Sequence, residues 1–512
     1  MKKHLFRNRK TKHGALTALL TALVIAVAVL CNVVLDTLTE RYQWYPSLRG
    51  PDTYALSERC FSIVEEAMDR ANHPAVRLIF CNPEEDLLAD ASSKMVYSTA
   101  RELSERFENI SVSCYDIWLD PTAVRDYTTT LNPLTGETET VTLSKTSVIV
   151  VSGDYHRAYA LTEFFSFEQD DPETAWAYDG EKTLASAVLR AVDQKQHIAC
   201  VLNNHGETFS DYELLYLLDD AGYTIVYMDL YKDPIPADCE LIVSYNPTSD
   251  LVDDALSDTS ETAILDDFLA KDGKSFLVFL GDSTPSLPNF ERYLSGWGVS
   301  SDYAKDTAGN EFRYMIQDPT QSLTSDGYTV YGTAASSGAS GAILSGLTRQ
   351  TVFKNATSFH IASAGYEDAG DGIYRSFDGK RTVYPLYRSG SEALCWANGS
   401  VVGGGSAILL SLTEQKNASG SSYVGVVGSV DFSAEDLLQS AVYGNADALL
   451  RILHRMGKEQ TPEGLTLKPF EATRISLITT AQMVRWTVVL AAVPAVVVTV
   501  TALVVLIRRR RS

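Results

Sequence analysis

Two long apolar segments without a charged residue constrain this chain more than any other feature of its sequence. They span residues 14–35 and 486–507, 22 residues each, and a helix of about 20 apolar residues suffices to cross the hydrocarbon core of a membrane. Six Lys/Arg residues lie within residues 1–12, before the first segment, and four arginines follow the second at 508–511. Because basic clusters mark the cytoplasmic side, the pattern predicts two transmembrane helices.

The predicted topology fixes a localisation and a division of the chain. The protein is expected in the cell (plasma) membrane as a two-pass protein, in contact with the lipid bilayer, with a cytoplasmic tip (1–13) and tail (508–512) and a large extracytoplasmic domain between the helices. The alternative for residues 14–35 is a cleaved signal peptide. An uncleaved anchor is favoured because the apolar run exceeds the ~7–15 residues of a signal-peptide core.

The charge of the chain argues against nucleic-acid binding. The formal net charge is −22, although ten of the 43 basic residues lie in the two tips. The body between them is therefore more acidic still, and it should repel a phosphate backbone.

Alternation of short apolar runs with helical patterns organises the extracytoplasmic region. The expected sections are an N-terminal α/β section (36–195), a flavodoxin-like core (196–300), a β-rich section (301–435) and a return to the membrane (436–485). Within the core, strand-like runs cover 197–203, 223–230, 239–247 and 274–280, and helical patterns cover 210–221 and 260–270. Strands that alternate with helices of 10–12 residues predict a flavodoxin/Rossmann-like parallel sheet with helices on both faces. Elsewhere, residues 94–107, 174–192 and 445–456 are predicted helices, and 128–142 a loop or hairpin.

One polar segment follows a predicted buried strand: Asn204, His205, Gly206 and Glu207. Ligands of open parallel sheets meet the carboxyl ends of the strands, so this segment is the candidate interaction or ligand site. The competing interpretation is structural, with Gly206 making a turn and Glu207 near a helix start, where negative charge is favoured. The structural interpretation is favoured, because the sequence assigns no acidic, His or Cys partner to these residues.

Motifs for catalysis, nucleotide binding and metal binding are not recognisable. Ser283 follows a predicted strand but lacks the flanking glycines of a nucleophile elbow, and residues 268–275 lack the first glycine of a phosphate loop. The seven cysteines lack Cys-x2-Cys spacing, and whether the six outside residues 14–35 form disulfides stays open. We therefore expect no catalytic residue, no cofactor and no metal site.

The order of several short motifs resembles the auxiliary component of ABC-type transport systems named for bacterial gliding motility, the GldG-like proteins. Residues 204–207 stand where that family usually has Gly-His-Gly-Glu, with asparagine in place of the first glycine. Further similar stretches lie at 229–238, 245–251, 268–274, 287–299 and 428–445. The resemblance is best over 197–300 and then over 424–512. It implies a flavodoxin-like domain, distantly similar to class I glutamine amidotransferase sheets without their cysteine nucleophile, and a non-catalytic role beside an ABC permease and a cytoplasmic ATPase.

Three functions are open on the sequence. The first is a non-catalytic, membrane-anchored accessory subunit of an ABC-type transport complex. The second is an extracytoplasmic sensor or binding module for a small molecule, a sugar or a peptide, near His205 and Glu207. The third and least favoured is a cell-envelope hydrolase that uses Glu207 or Asp282.

Overall fold

The computed structural model describes residues 54–470, apart from 133, 169–170, 194, 196, 210, 254–259 and 459–460. From Ala55 onward these residues belong to one compact unit. Within it, a small N-terminal section precedes a much larger sheet.

The N-terminal section is built on a four-stranded sheet. The strands of this sheet are β1 (Val76–Phe80), β2 (Ile110–Cys114), β5 (Ser147–Ser152) and β6 (Tyr155–Ala160). Two hairpins accompany it, formed by β3 (Thr129–Leu131) with β4 (Thr138–Thr140) and by β7 (Phe165–Glu168) with β8 (Asp171–Tyr178). Its α-helices are α1 (Glu58–Arg70), α2 (Glu84–Ala89), α3 (Ala91–Arg106) and α4 (Gly180–Val192), and short 3-10 helices cover Pro121–Tyr127 and Leu161–Phe164. The sheet order is β2-β1-β5-β6, and only β1 and β2 run parallel.

One predicted helix of this section is wrong in its first third. Residues 174–178 belong to β8, which pairs with β7, and α4 begins only at Gly180. Tyr178 is buried and its hydroxyl lies 2.6 Å from that of Thr99 on α3. This long-range packing decides for a strand where local spacing favoured a helix.

The remainder of the described chain forms a large sheet and several short hairpins, except that its last strand, Lys468–Pro469, pairs with β8 of the N-terminal section. The strands are β9 (Ile198–Leu202), β10 (Thr224–Met228), β11 (Cys239–Tyr245), β12 (Ser275–Phe279), β13 (Val299–Ser301), β14 (Tyr303–Lys305), β15 (Glu311–Arg313), β16 (Met315–Gln317), β17 (Thr329–Ala334), β18 (Thr351–Lys354), β19 (Phe359–Ile361), β20 (Tyr366–Gly370), β21 (Ile373–Ser376), β22 (Arg381–Arg388), β23 (Leu394–Ala397), β24 (Ser400–Gly404), β25 (Ile408–Lys416), β26 (Ser421–Val427) and β27 (Lys468–Pro469). The helices are α5 (Glu213–Asp220), α6 (Glu261–Leu269), α7 (Pro288–Gly296), α8 (Gly338–Ile343), α9 (Glu435–Leu438) and α10 (Asn445–Arg455), with a 3-10 helix at Val430–Ser433.

The large sheet is mixed, which corrects the expected fold class. Strands β10-β9-β11-β12-β26 are mutually parallel, but β25, β22, β17 and β18 continue the same sheet in antiparallel pairs. The predicted parallel sheet and the predicted β-rich section are therefore parts of one mixed α/β sheet. The junction is β26, which comes from the far end of the chain and pairs with β12 on one side and β25 on the other.

Both faces of β9, β11, β12 and β26 are buried, as the continuous apolar runs require, whereas the edge strand β10 leaves Tyr227 partly exposed. Successive side chains of a strand point to opposite faces. Ala199 and Val201 of β9 therefore pack in the cluster covered by α5 and α10, and Ile198, Cys200 and Leu202 pack in the cluster covered by α6 and α7.

The structure does not support the predicted two-pass membrane topology. Among the described residues no helix has both the length and the apolar character needed to cross a membrane. The longest of the described helices, α3, has 16 residues, short of the ~20 that a crossing takes. The two segments predicted to be transmembrane helices, 14–35 and 486–507, lie outside the described residues.

Candidate functional site

The polar segment of the sequence lies at the carboxyl end of β9, between the ends of β10 and β11. Gly206 has a φ of +74°, and a Cβ at this position would lie 2.1 Å from the Thr248 hydroxyl. Only glycine therefore fits the turn. The carbonyl of His205 accepts hydrogen bonds from the backbone amides of Thr248 and Ser249, both at 2.8 Å, which ties this turn to the loop after β11.

His205 lies between two carboxylates. Its Nε2 is 3.0 Å from Glu261 Oε2, and its Nδ1 is 3.4 Å from Glu207 Oε1. The first contact has hydrogen-bond geometry, whereas the second is a close ion pair without it. The three side chains are almost fully shielded from solvent, with exposed fractions of 3% for His205, 1% for Glu207 and 0% for Glu261. We call these three residues the His205 cluster.

Both carboxylates are held by further donors. Glu261 Oε1 accepts from the Asn204 side-chain amide at 2.8 Å, and its Oε2 accepts from the backbone amide of Val252 at 2.7 Å. Glu207 Oε2 accepts from the backbone amide of His205 at 2.8 Å, and its Oε1 accepts from the Ser244 hydroxyl at 3.3 Å. The carboxylates thus have donors on both oxygens, as buried charges require.

Glu261 is held at the N-terminus of helix α6. Ser260 caps the helix by accepting from the backbone amide of Ala263, so Glu261 is the first helical residue. The positive end of the helix dipole favours an anion there. The cluster therefore joins the start of α6 to the loops that follow β9 and β11.

The electrostatics of the cluster favour a charged imidazole. Burial by itself lowers the pKa of His205, but the nearby carboxylates of Glu207 and Glu261 outweigh it and raise the pKa from 6.5 to about 9. Burial raises the pKa of Glu261, and the contacts from His205, Val252 and Asn204 bring it below its usual range. At neutral pH the arrangement is a buried imidazolium between carboxylates.

The sequence named Asn204, His205, Gly206 and Glu207 and missed Glu261. The structure brings His205 and Glu207 together with Glu261, to which Asn204 donates a hydrogen bond, while Gly206 makes the turn as the structural interpretation expected. Glu207 is not at a helix start, because α5 begins only at Glu213. The one sequence signal for Glu261 is its position directly after a helix-capping serine, which by itself indicates only a favourable dipole contact.

Asp282, the other acid considered for hydrolysis, lies after β12 beside a cavity of about 250 Å³. Burial raises the pKa of its carboxyl group. The neighbouring Ser283 hydroxyl exchanges hydrogen bonds with the side chain of Asn246. Nucleophilic catalysis by serine needs a base within hydrogen-bond reach, and an amide is not one.

The glycine of the incomplete phosphate-loop segment and the described cysteines can now be placed in the fold. Gly273, within the 268–275 segment, lies in the turn before β12 with a φ of +69°. The six cysteines of the described residues, Cys60, Cys81, Cys114, Cys200, Cys239 and Cys395, are free thiols. Across the described part of the chain, no group of three or more His, Cys, Asp or Glu residues is arranged to hold a metal ion.

No protein-family model matches the sequence, and no curated protein matches it.

Proposed function

We propose that this chain is a non-catalytic accessory component of an ABC-type transport complex, similar to the GldG-like proteins, and that it acts by binding the permease and ATPase subunits. The observation that supports it most is the closure of the His205 cluster. At the edge of the sheet where parallel α/β proteins carry ligands and chemistry, the polar side chains bond one another and are shielded from solvent. Their contacts hold two loops and a helix start in place, which is what a rigid binding surface needs.

Exposed apolar side chains give the proposal a surface to test. Trp118 and Leu119 follow β2 on one loop and are 77% and 85% exposed. Burying a large apolar side chain in an interface is worth about 1.5–3 kcal/mol, and exposed apolar groups that lie together mark protein contacts. This loop is therefore where we expect a partner subunit to bind.

The test is recovery of named partners. The tagged full-length chain, expressed at its native level, is purified under mild conditions and the bound proteins are identified by mass spectrometry. We expect an ABC permease and its ATPase in stoichiometric amounts. Recovery of the chain alone would refute the proposal.

A matched pair of variants then tests the surface. Trp118→Ser/Leu119→Ser should lower the recovered permease and ATPase at least about tenfold, since two buried anchors are lost. Phe377→Ser removes a side chain that is 66% exposed elsewhere, and this variant should recover both partners unchanged. If the double variant recovers as much permease and ATPase as the unaltered chain, the partners bind at another surface.

A further inference from the structure

A cavity of about 410 Å³ lies between the N-terminal section and the large sheet. Residues of β6, β7 and α4 form one side of it, and residues of α5 and α9 form the other. Its volume is within the range of small-molecule sites, about 300–1,000 Å³. It lies apart from the His205 cluster, none of whose residues lines it.

Each cationic side chain of the cavity already has an acidic partner. Arg157 and Arg190 both bind Asp219, Arg157 through Nη1 at 2.8 Å from Asp219 Oδ2 and Arg190 through a closer contact to Oδ1. Lys182 Nζ lies 3.1 Å from Asp179 and 2.9 Å from Asp220. An anionic ligand would have to break these ion pairs, and breaking one buried ion pair costs about 3–5 kcal/mol.

Acidic groups remain in excess. Six acidic side chains and three basic ones line the cavity. Among the described residues, neither Glu213 nor Glu435 has a cation within ion-pair distance, and Glu213 Oε1 accepts only from the side-chain amide of Gln439, at 2.8 Å. Burial raises the pKa of Glu213 to about 7, as expected for a carboxylate without a counterion.

Two buried polar atoms of the lining lack a hydrogen-bond partner among the described residues. They are the hydroxyl of Ser186, a residue only 7% exposed, and Oδ1 of Asp179. Buried polar atoms are rarely left unpaired in a native structure. A ligand with N–H groups would satisfy both.

The remaining walls are aromatic: Tyr159, Phe165, Phe167 and Tyr216 line the same cavity. Aromatic faces attract cations and cover aliphatic chains. Together with unpaired carboxylates and acceptor atoms, they match a ligand with a protonated amine and a short hydrocarbon body.

We propose that this cavity is a binding site for a small aliphatic amine in its cationic form, with Glu213 and Glu435 as counterions and the free oxygens of Asp179 and Ser186 as hydrogen-bond acceptors. The site is independent of the proposed assembly with transport subunits. It would stand if that proposal failed, and the reverse holds as well.

The test is calorimetric titration of the purified full-length chain with putrescine. Two probes are matched to it: 1,4-butanediol has the same length without charge, and inorganic phosphate has the opposite charge. We expect saturable binding of putrescine and no binding of the other two. These three titrations use the unaltered protein, so their results do not depend on the folding of any variant. Absence of putrescine binding, or equal binding of butanediol, would overturn the proposal and leave a water-filled cavity. Saturable phosphate binding would overturn it too, since it would show an anion site.

A variant pair locates the site. Glu213→Gln keeps the shape of the side chain and its bond to Gln439 but removes the charge, so putrescine should bind at least about tenfold more weakly. Glu367→Gln neutralises an exposed acid on β20 and should leave the affinity unchanged. If Glu213→Gln, shown by circular dichroism to be folded, binds as the unaltered chain does, the cavity is not the site.

Discussion

Replacing His205 with alanine should destabilise the chain in a way that depends on pH. The variant leaves Glu207 and Glu261 buried without their shared cation, and breaking a buried ion pair costs about 3–5 kcal/mol. Part of that loss of unfolding free energy comes from the protonation of the His205 imidazole. The pKa of His205 rises from 6.5 to about 9 on folding, and since each unit corresponds to about 1.4 kcal/mol, protonation contributes about 3 kcal/mol.

The direction of the pH effect follows from the raised pKa. The folded state binds the proton more tightly than the unfolded state, so the contribution is fully present below about pH 6.5 and is lost as the pH rises through about 9. The difference in unfolding free energy between the unaltered chain and His205→Ala should therefore narrow by about 3 kcal/mol between about pH 6.5 and about pH 9.5. Groups outside the His205 cluster that titrate in this window, such as His197, whose pKa is also raised, are common to both proteins and cancel in the difference.

The assay is urea unfolding followed by tryptophan fluorescence at the two pH values. His454→Ala is the control, because His454 is exposed near the end of α10 and its loss should change stability by no more than about 0.5 kcal/mol. A difference between His205→Ala and the unaltered chain that stays constant across the two pH values would refute the argument. The imidazole would then not be the charged centre of the cluster.

Two further predictions concern single positions and use the same unfolding assay. Gly206→Ala should destabilise by about 2–4 kcal/mol, because the added Cβ meets the Thr248 hydroxyl in addition to the backbone strain at positive φ. Gly153→Ala, at φ +57° with nothing within 4 Å, should cost only the strain, about 1 kcal/mol; equal losses at both glycines would show that the contact is relieved. Asn445→Ala should cost about 2–4 kcal/mol, because this fully buried side chain donates to two backbone carbonyls and accepts from one amide, and a loss below about 1 kcal/mol would contradict that accounting.

The parallel strands were the most predictable part of the fold. The runs around β9, β10, β11 and β12 are short, almost wholly apolar and separated by helical spacing, and the structure has strands in these places. Burial of β9, β11 and β12 on both faces is what such apolar runs predict. The helix that begins after Ser260 was predictable for a similar reason, because a capping serine and an apolar periodicity are both local signals.

The continuation of the parallel strands by β26 and the antiparallel strands was not predictable in the same way. The pairing of β26 with β12 joins residues about 150 positions apart, and the apolar pattern of β26 would suit several neighbours. The start of α4 was misjudged because residues 174–178 have helical spacing yet pair with β7. Pairing with a distant strand in the first case, and with the neighbouring strand β7 in the second, outweighs local preference.

The candidate site shows the same division. Local sequence determined that a glycine turn with polar neighbours follows β9, and that Glu261 opens a helix. Only the tertiary structure decided that Glu261 and His205, 56 positions apart, meet in the interior and share a proton-dependent contact. The physical reason is that the charge state of a buried group depends on its distance from other charges and from water, and both distances are set by how the chain is folded.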